Sequence, residues 1–190
     1  MILIGTIASS LLQNVDNGVM DPLQVVTVGP SGASTITFSN IPSTYSHLQL
    51  RILARSTRTT AVTDYMDVKV NNDTGANYSY HFLQGNGSVT QAGGSTSLNQ
   101  AYSSYIASAT SGTSIFGVNI LDLLDYANTN KYKTFRFLGG CDINTTDGKV
   151  AMMSSVWMNT NAITSIQFAP STGSFTQDSQ FALYGIKGAA

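Results

Sequence analysis

Glutamate is missing altogether: all ten acidic residues of the 190-residue chain are Asp, and with nine basic residues the charged fraction is only 10%, where roughly 25% is usual for soluble domains. Its absence removes a strong helix former. A formal charge of −1 supplies no basic surface for phosphate backbones or anionic lipid, so neither nucleic acid nor membrane is an expected partner. The single cysteine, Cys141, excludes an intrachain disulfide and any multi-cysteine metal site, and it suits a small apolar residue at a strand end. No stretch reaches the roughly 18 to 20 apolar residues of a membrane-spanning helix, and the opening Met1-Ile-Leu-Ile-Gly-Thr-Ile-Ala8 lacks the cationic start of a signal peptide. Synthesis in a cytoplasm is the expectation.

What replaces charge is uncharged polarity: 23 Ser, 22 Thr, 14 Asn and 17 Gly, residues that favour strands and turns. A 42% hydrophobic fraction is enough for a core, and the length suits one domain. Short runs with two-residue alternation recur between Gly, Asn, Asp and Pro, the pattern of half-buried antiparallel strands. The clearest is Tyr45 to Ala54, with Leu48, Leu50 and Ile52 on one face and His47, Gln49 and Arg51 on the other. In Tyr65 to Val70, Met66, Val68 and Val70 face inward, and the Asn71-to-Gly75 turn that follows predicts a hairpin to Tyr78–Leu83. Asn86-Gly87 marks a tight turn, and the Gly, Ser and Thr of Ser88 to Gln100 suggest a long exposed loop. The clustered leucines of Leu121 to Ala127 make this the one segment suited to a short helical turn. The fold class predicted is all-β: an antiparallel β-sandwich, jelly-roll-like, over residues 23–190, preceded by an extended arm over residues 1–22.

Residues that could carry chemistry are sparse. His47 and His81 are the only bases near neutral pH, no zinc spacing joins them, and both read as surface or aromatic-cluster residues on strands. No Gly-x-Ser-x-Gly elbow occurs, and Cys141 has no histidine near it in sequence. Two spaced acid pairs, Asp64/Asp67 and Asp122/Asp125, could in principle flank a sugar, but read as solvated charge. The loops at Asn71-Asn72-Asp73 and at Asp142, Asn144 and Asp147 are too poor in carboxylates for a strong calcium site. No catalytic residue, cofactor or metal is expected.

Two groups of residues instead suggest contact surfaces. Ile2, Leu3, Ile4, Leu11 and Leu12 are too much apolar surface for a solvated tail, so the arm is expected to dock on a neighbouring subunit. Tyr78, Tyr80, Tyr102 and Tyr105 flank the expected loop, and tyrosine among Ser, Gly and Asn binds by stacking and adaptable hydrogen bonds. Packing at strand ends is the plainer reading of the same four residues.

Four stretches, Ser34 to Ser56, Tyr78-Ser-Tyr-His-Phe-Leu-Gln-Gly-Asn-Gly87, Trp157 to Ile166, and the closing Phe181-Ala-Leu-Tyr-Gly-Ile-Lys187, together resemble a recurring pattern in virion proteins of tailed bacteriophages. The resemblance implies a β-sandwich on a capsid or tail, commonly trimeric, with no catalytic residues. It makes a capsid decoration or cement protein, bound to further copies of itself and to the major capsid protein, the leading expectation. A tail-fibre or receptor-binding module recognising host surface glycans is the alternative.

Overall fold

The computed structural model describes residues 18–144 and 147–188. Twelve strands carry the fold: β1 (Met20–Thr27), β2 (Ile36–Phe38), β3 (His47–Ala54), β4 (Thr63–Val70), β5 (Tyr78–Gly85), β6 (Thr90–Leu98), β7 (Ala101–Ala107), β8 (Gly117–Leu124), β9 (Lys133–Cys141), β10 (Lys149–Trp157), β11 (Ile166–Pro170) and β12 (Gln180–Ile186). They form an eight-stranded sheet, β1-β12-β3-β8-β9-β10-β5-β6, and a four-stranded sheet, β2-β11-β4-β7. Every strand pairing is antiparallel. Set aside β5–β6 and β9–β10, and four strands remain in each sheet, the layout of a two-layer β-sandwich. The two additional hairpins join each other through the β5–β10 pairing and widen the large sheet. Among the described residues no helix is long and apolar enough to cross a membrane.

Alternation builds the core. Leu48, Leu50 and Ile52 of β3 meet Met66, Val68 and Val70 of β4, as their spacing predicts, and Phe135, Phe137, Phe168, Phe181 and Trp157 fill the space between the sheets. Each such side chain stabilises the fold by roughly 1.5–3 kcal/mol through burial. Cys141 ends β9 and is buried.

Four expectations fail, each for a local reason. The hairpin from Val70 to Tyr78 does not form: β4 lies in the small sheet and β5 in the large one. The intervening corner is held instead by Asp73, whose carboxylate accepts from the Gly75 amide and Asn77 Nδ2, both at 2.8 Å, and from Trp157 Nε1 at 2.7 Å. Turn chemistry specifies a reversal but not the sheet that receives the returning chain. Ser88 to Gln100 is not a loop but contains β6, an edge strand paired only with β5. Its small residues are required there, since a Cβ at Gly94 would come within 2.6 Å of the Tyr80 carbonyl oxygen.

The leucines of 121–127 belong to a strand: Leu121 and Leu123 point inward, Leu124 outward, and Asp125, with a φ of 50°, ends the run. Finally, the first strand begins before residue 23. β1 starts at Met20 rather than Leu23 and tolerates Pro22 because it is an edge strand with a register shift between Pro22 and Gln24.

Candidate functional site

The large sheet presents apolar residues on both faces. Along β8, Val118, Ile120 and Leu124 point away from the core; β9 adds Leu138, β10 adds Val150 and Met152, and β5 and β3 add Leu83 and Leu53. Register makes them neighbours. Ile120, Leu138, Met152 and Leu83 stand in one row across four strands. In the next row are Leu53, Val118, Gly140, Val150 and Gly85. Glycine is obligatory at the centre of that second row, because a Cβ at Gly140 would lie 2.2 Å from the Lys149 carbonyl oxygen.

The result is a ridge of long side chains beside a dip in the backbone surface, which together form an open groove of about 710 Å³. A polar row closes one side: Gln49, Asp122, Arg136, Ser154 and His81 follow one another across the strands. Burial works against the charged form of Asp122, but hydrogen bonds from Gln49 and Arg136 outweigh it and hold the carboxyl below its usual range. Within the row, Asp122 is bonded to both Gln49 and Arg136. Cys141 lies at the groove's edge, and burial pushes its thiol up to about 11, so at neutral pH it is a protonated, weak nucleophile.

The second surface contains three of the four sequence-predicted tyrosines. Tyr80, Tyr102 and Tyr105 line a cleft of about 250 Å³ with Tyr65, Phe82 and Gln84, where β5 and β6 of the large sheet face β4 and β7 of the small one. Tyr102 meets Tyr65 and Tyr80 edge-to-face at 5.3 and 5.4 Å, and the Tyr105 hydroxyl donates to Gln84 Oε1 at 2.6 Å. Lys149 Nζ stands 4.5 Å from the Tyr105 ring centre. Burial raises the hydroxyls of Tyr102 and Tyr105 above their ordinary value, keeping them neutral hydrogen-bonding groups. Tyr78 does not belong to this surface. It is fully buried, its hydroxyl within 3.2 Å of the Val70 amide, and burial pushes its pKa up to about 12.

Ile2, Leu3, Ile4, Leu11 and Leu12 lie outside the described residues. Of the other polar candidates, His47 and Asp125 come together, the His47 Nδ1 lying 3.5 Å from the Asp125 carboxylate. His47 Nδ1 accepts from the Asp125 amide at 3.0 Å, and His81 is exposed on the outer face. Asp64 is not the solvated charge its sequence context suggested; it is fully buried at the start of β4 and paired with Arg58 at 3.2 Å. Asp125 pairs with Lys131 and Asp122 with Arg136. No group of three or more His, Cys, Asp or Glu among the described residues could hold a metal ion.

Sequence reasoning missed the apolar outer face entirely. Its signal was present as broken alternation: Leu123-Leu124, Phe137-Leu138 and Val150-Ala151-Met152-Met153 put apolar side chains on both sides of their strands. Comparison of the chain with protein-family models, with curated proteins and with solved structures gives no match.

Proposed function

We propose that this protein is a non-enzymatic structural component of a tailed-phage virion, a capsid decoration or cement protein that stabilises the particle through contact area. The observation that carries the reading is the outer face of the large sheet. Antiparallel sheets of a sandwich bury one face and solvate the other, whereas here Val118, Leu138 and Val150 remain 53 to 61% exposed outside a complete core. Contiguous apolar surface of this kind marks an interaction site. Its partners in this reading are further copies of the chain, with a trimer as the expected assembly, and the major capsid protein of the shell. The apolar opening segment from Ile2 to Leu12 supplies an additional contact to a neighbouring subunit.

Particles lacking the protein are expected to lose heat or osmotic stability, and electron microscopy of intact particles is expected to find hundreds of copies over the shell. Unchanged stability, or a few copies at one vertex, would rule out the cement role.

A specific observation favours a second reading, a receptor-binding module on a tail fibre: the convergence of Tyr65, Tyr80, Tyr102 and Tyr105 on one cleft. Aromatic faces with hydroxyl and amide groups at their edges suit the apolar face and equatorial hydroxyls of a host surface glycan. Tyr102→Ala then reduces both adsorption to host cells and glycan-array binding. In the decoration reading the same substitution leaves adsorption unchanged.

A further inference from the structure

Resting on the assembly reading, we infer that the occupant of the large sheet's outer face is a further copy of the same chain, packed sheet face against sheet face. Three features of the face point there. The first is its size. With Leu53, Leu83, Val118, Ile120, Leu138, Val150 and Met152 between 37 and 61% exposed, these seven side chains offer on the order of 600 Å² of accessible surface, close to the roughly 800 Å² per partner of a stable interface once the polar rim is added.

The second is its shape. The ridge Ile120–Leu138–Met152–Leu83 and the dip at Gly140 and Gly85 occupy adjacent rows of one face. A surface carrying both a protrusion and a depression complements itself: a ridge side chain such as Leu138 or Met152 of one copy enters the dip that Gly140 floors between Val118 and Val150 of the other, and the second copy returns the same contact. A partner without the ridge would leave the dip unfilled, and a flat partner would leave voids along both rows.

The third is its charge. The apolar rows contain no ionised side chain except Arg51 at the β3 end of the ridge row, which lies 5.8 Å from the Tyr184 ring. On the bordering polar row, Asp122 and Arg136 neutralise each other. A face with a single surplus positive charge, at its β3 edge beside Tyr184, neither selects a strongly charged partner nor strongly repels a copy of itself. Sheets packed this way lie about 10 Å apart with their inner side chains interdigitated, an arrangement this chain already makes once between its own two sheets.

The test is the mass of the purified full-length chain in solution, by light scattering and native mass spectrometry, for the wild type and for Leu138→Lys, Met152→Lys and Thr37→Lys. Thr37 is exposed on the outer face of the small sheet. The wild type is expected at twice 20.1 kDa or a higher even multiple. Each large-sheet substitution is expected to raise the subunit dissociation constant at least tenfold, while Thr37→Lys leaves it unchanged. Far-UV circular dichroism checks that each variant folds, and Ile120→Ser replaces any lysine variant that does not. A wild-type monomer at micromolar concentration overturns the inference, as does an oligomer indifferent to all the large-sheet substitutions. A monomer that still decorates and strengthens particles removes the copy-to-copy contact and leaves the assembly reading standing. An oligomer that never joins a particle does the reverse.

Discussion

The two outer faces of the sandwich follow different rules. Across the small sheet Thr37, Gln167 and Lys69 stand in register and give a polar row, as a solvated face should. Across the large sheet the corresponding positions are Ile120, Leu138, Met152 and Leu83, 39 to 55% exposed. Both sheets meet the same core, so the interior does not require the apolar residues on the far side of the large one. The small sheet demonstrates that this chain can solvate an outer face with ordinary polar residues. In the assembly reading, the large sheet's departure reflects what it touches rather than how it folds.

The sharpest way to break this comparison uses two adjacent residues of β9. Phe137 is fully buried between the sheets and Leu138, its neighbour, is 53% exposed. Phe137→Ala should cost about 3–5 kcal/mol in urea unfolding through lost transfer energy and the cavity left behind. Leu138→Ala in the dissociated chain should stay within about 0.5–1 kcal/mol, mostly from strand propensity. Comparable losses at both positions would mean that the outer face supports the fold of the single chain, and the distinction between fold and contact would disappear.

A smaller effect tests the corner that sets the two sheets, and hence their outer faces, in place. Burial works against the charge on Asp73, but hydrogen bonds from Trp157, Asn77 and the Gly75 amide hold its carboxyl below the ordinary value. A carboxyl depressed in the folded state contributes stability above its unfolded pKa and loses it as pH falls through the folded one. Asp73→Ala is expected to cost about 1–3 kcal/mol at neutral pH, since it leaves the buried Trp157 donor without its acceptor. The deficit should shrink as unfolding is repeated at progressively lower pH. A deficit independent of pH would mean that the Asp73 side chain supports the corner without its charge, whereas no deficit at all would assign the corner's stability to the backbone turn alone.

How much of this was legible follows from which rule each segment obeys. β3 and β4 were readable because one face is apolar and the other polar, so alternation alone fixed both their existence and their inner residues. β8 and β10 carry apolar residues on both faces, and in the Leu121–Leu124 run this destroyed the two-residue period and imitated a helix. β6 was hidden for the opposite reason, since an edge strand with Gly93 and Gly94 under the side chains of Phe82 and His81 has almost no apolar period to detect. Of the contact residues, Tyr80, Tyr102 and Tyr105 could be guessed from composition, but Tyr78 could not be separated from them without knowing that its strand turns that residue into the core. The ridge and the dip are cross-strand objects. Ile120, Leu138, Met152 and Leu83 become one surface only through a strand order that local sequence does not encode.

The smallest effect on the isolated chain is also the most direct exchange between the two faces. Ile120→Thr gives the large sheet a residue of the kind the small sheet uses, and Thr37→Ile does the converse; both keep β-branched residues at exposed strand positions. Each should change the stability of the dilute, dissociated chain by less than about 0.5 kcal/mol. Their consequences diverge as concentration rises, because association with a folded partner adds to apparent stability by mass action. The wild type and Thr37→Ile should melt at higher temperature in concentrated than in dilute solution, whereas Ile120→Thr should lose much of that dependence. Were Ile120→Thr to keep the full concentration dependence, Ile120 would lie outside the contact, and the ridge would have to be redrawn around Leu138, Met152 and Leu83 alone.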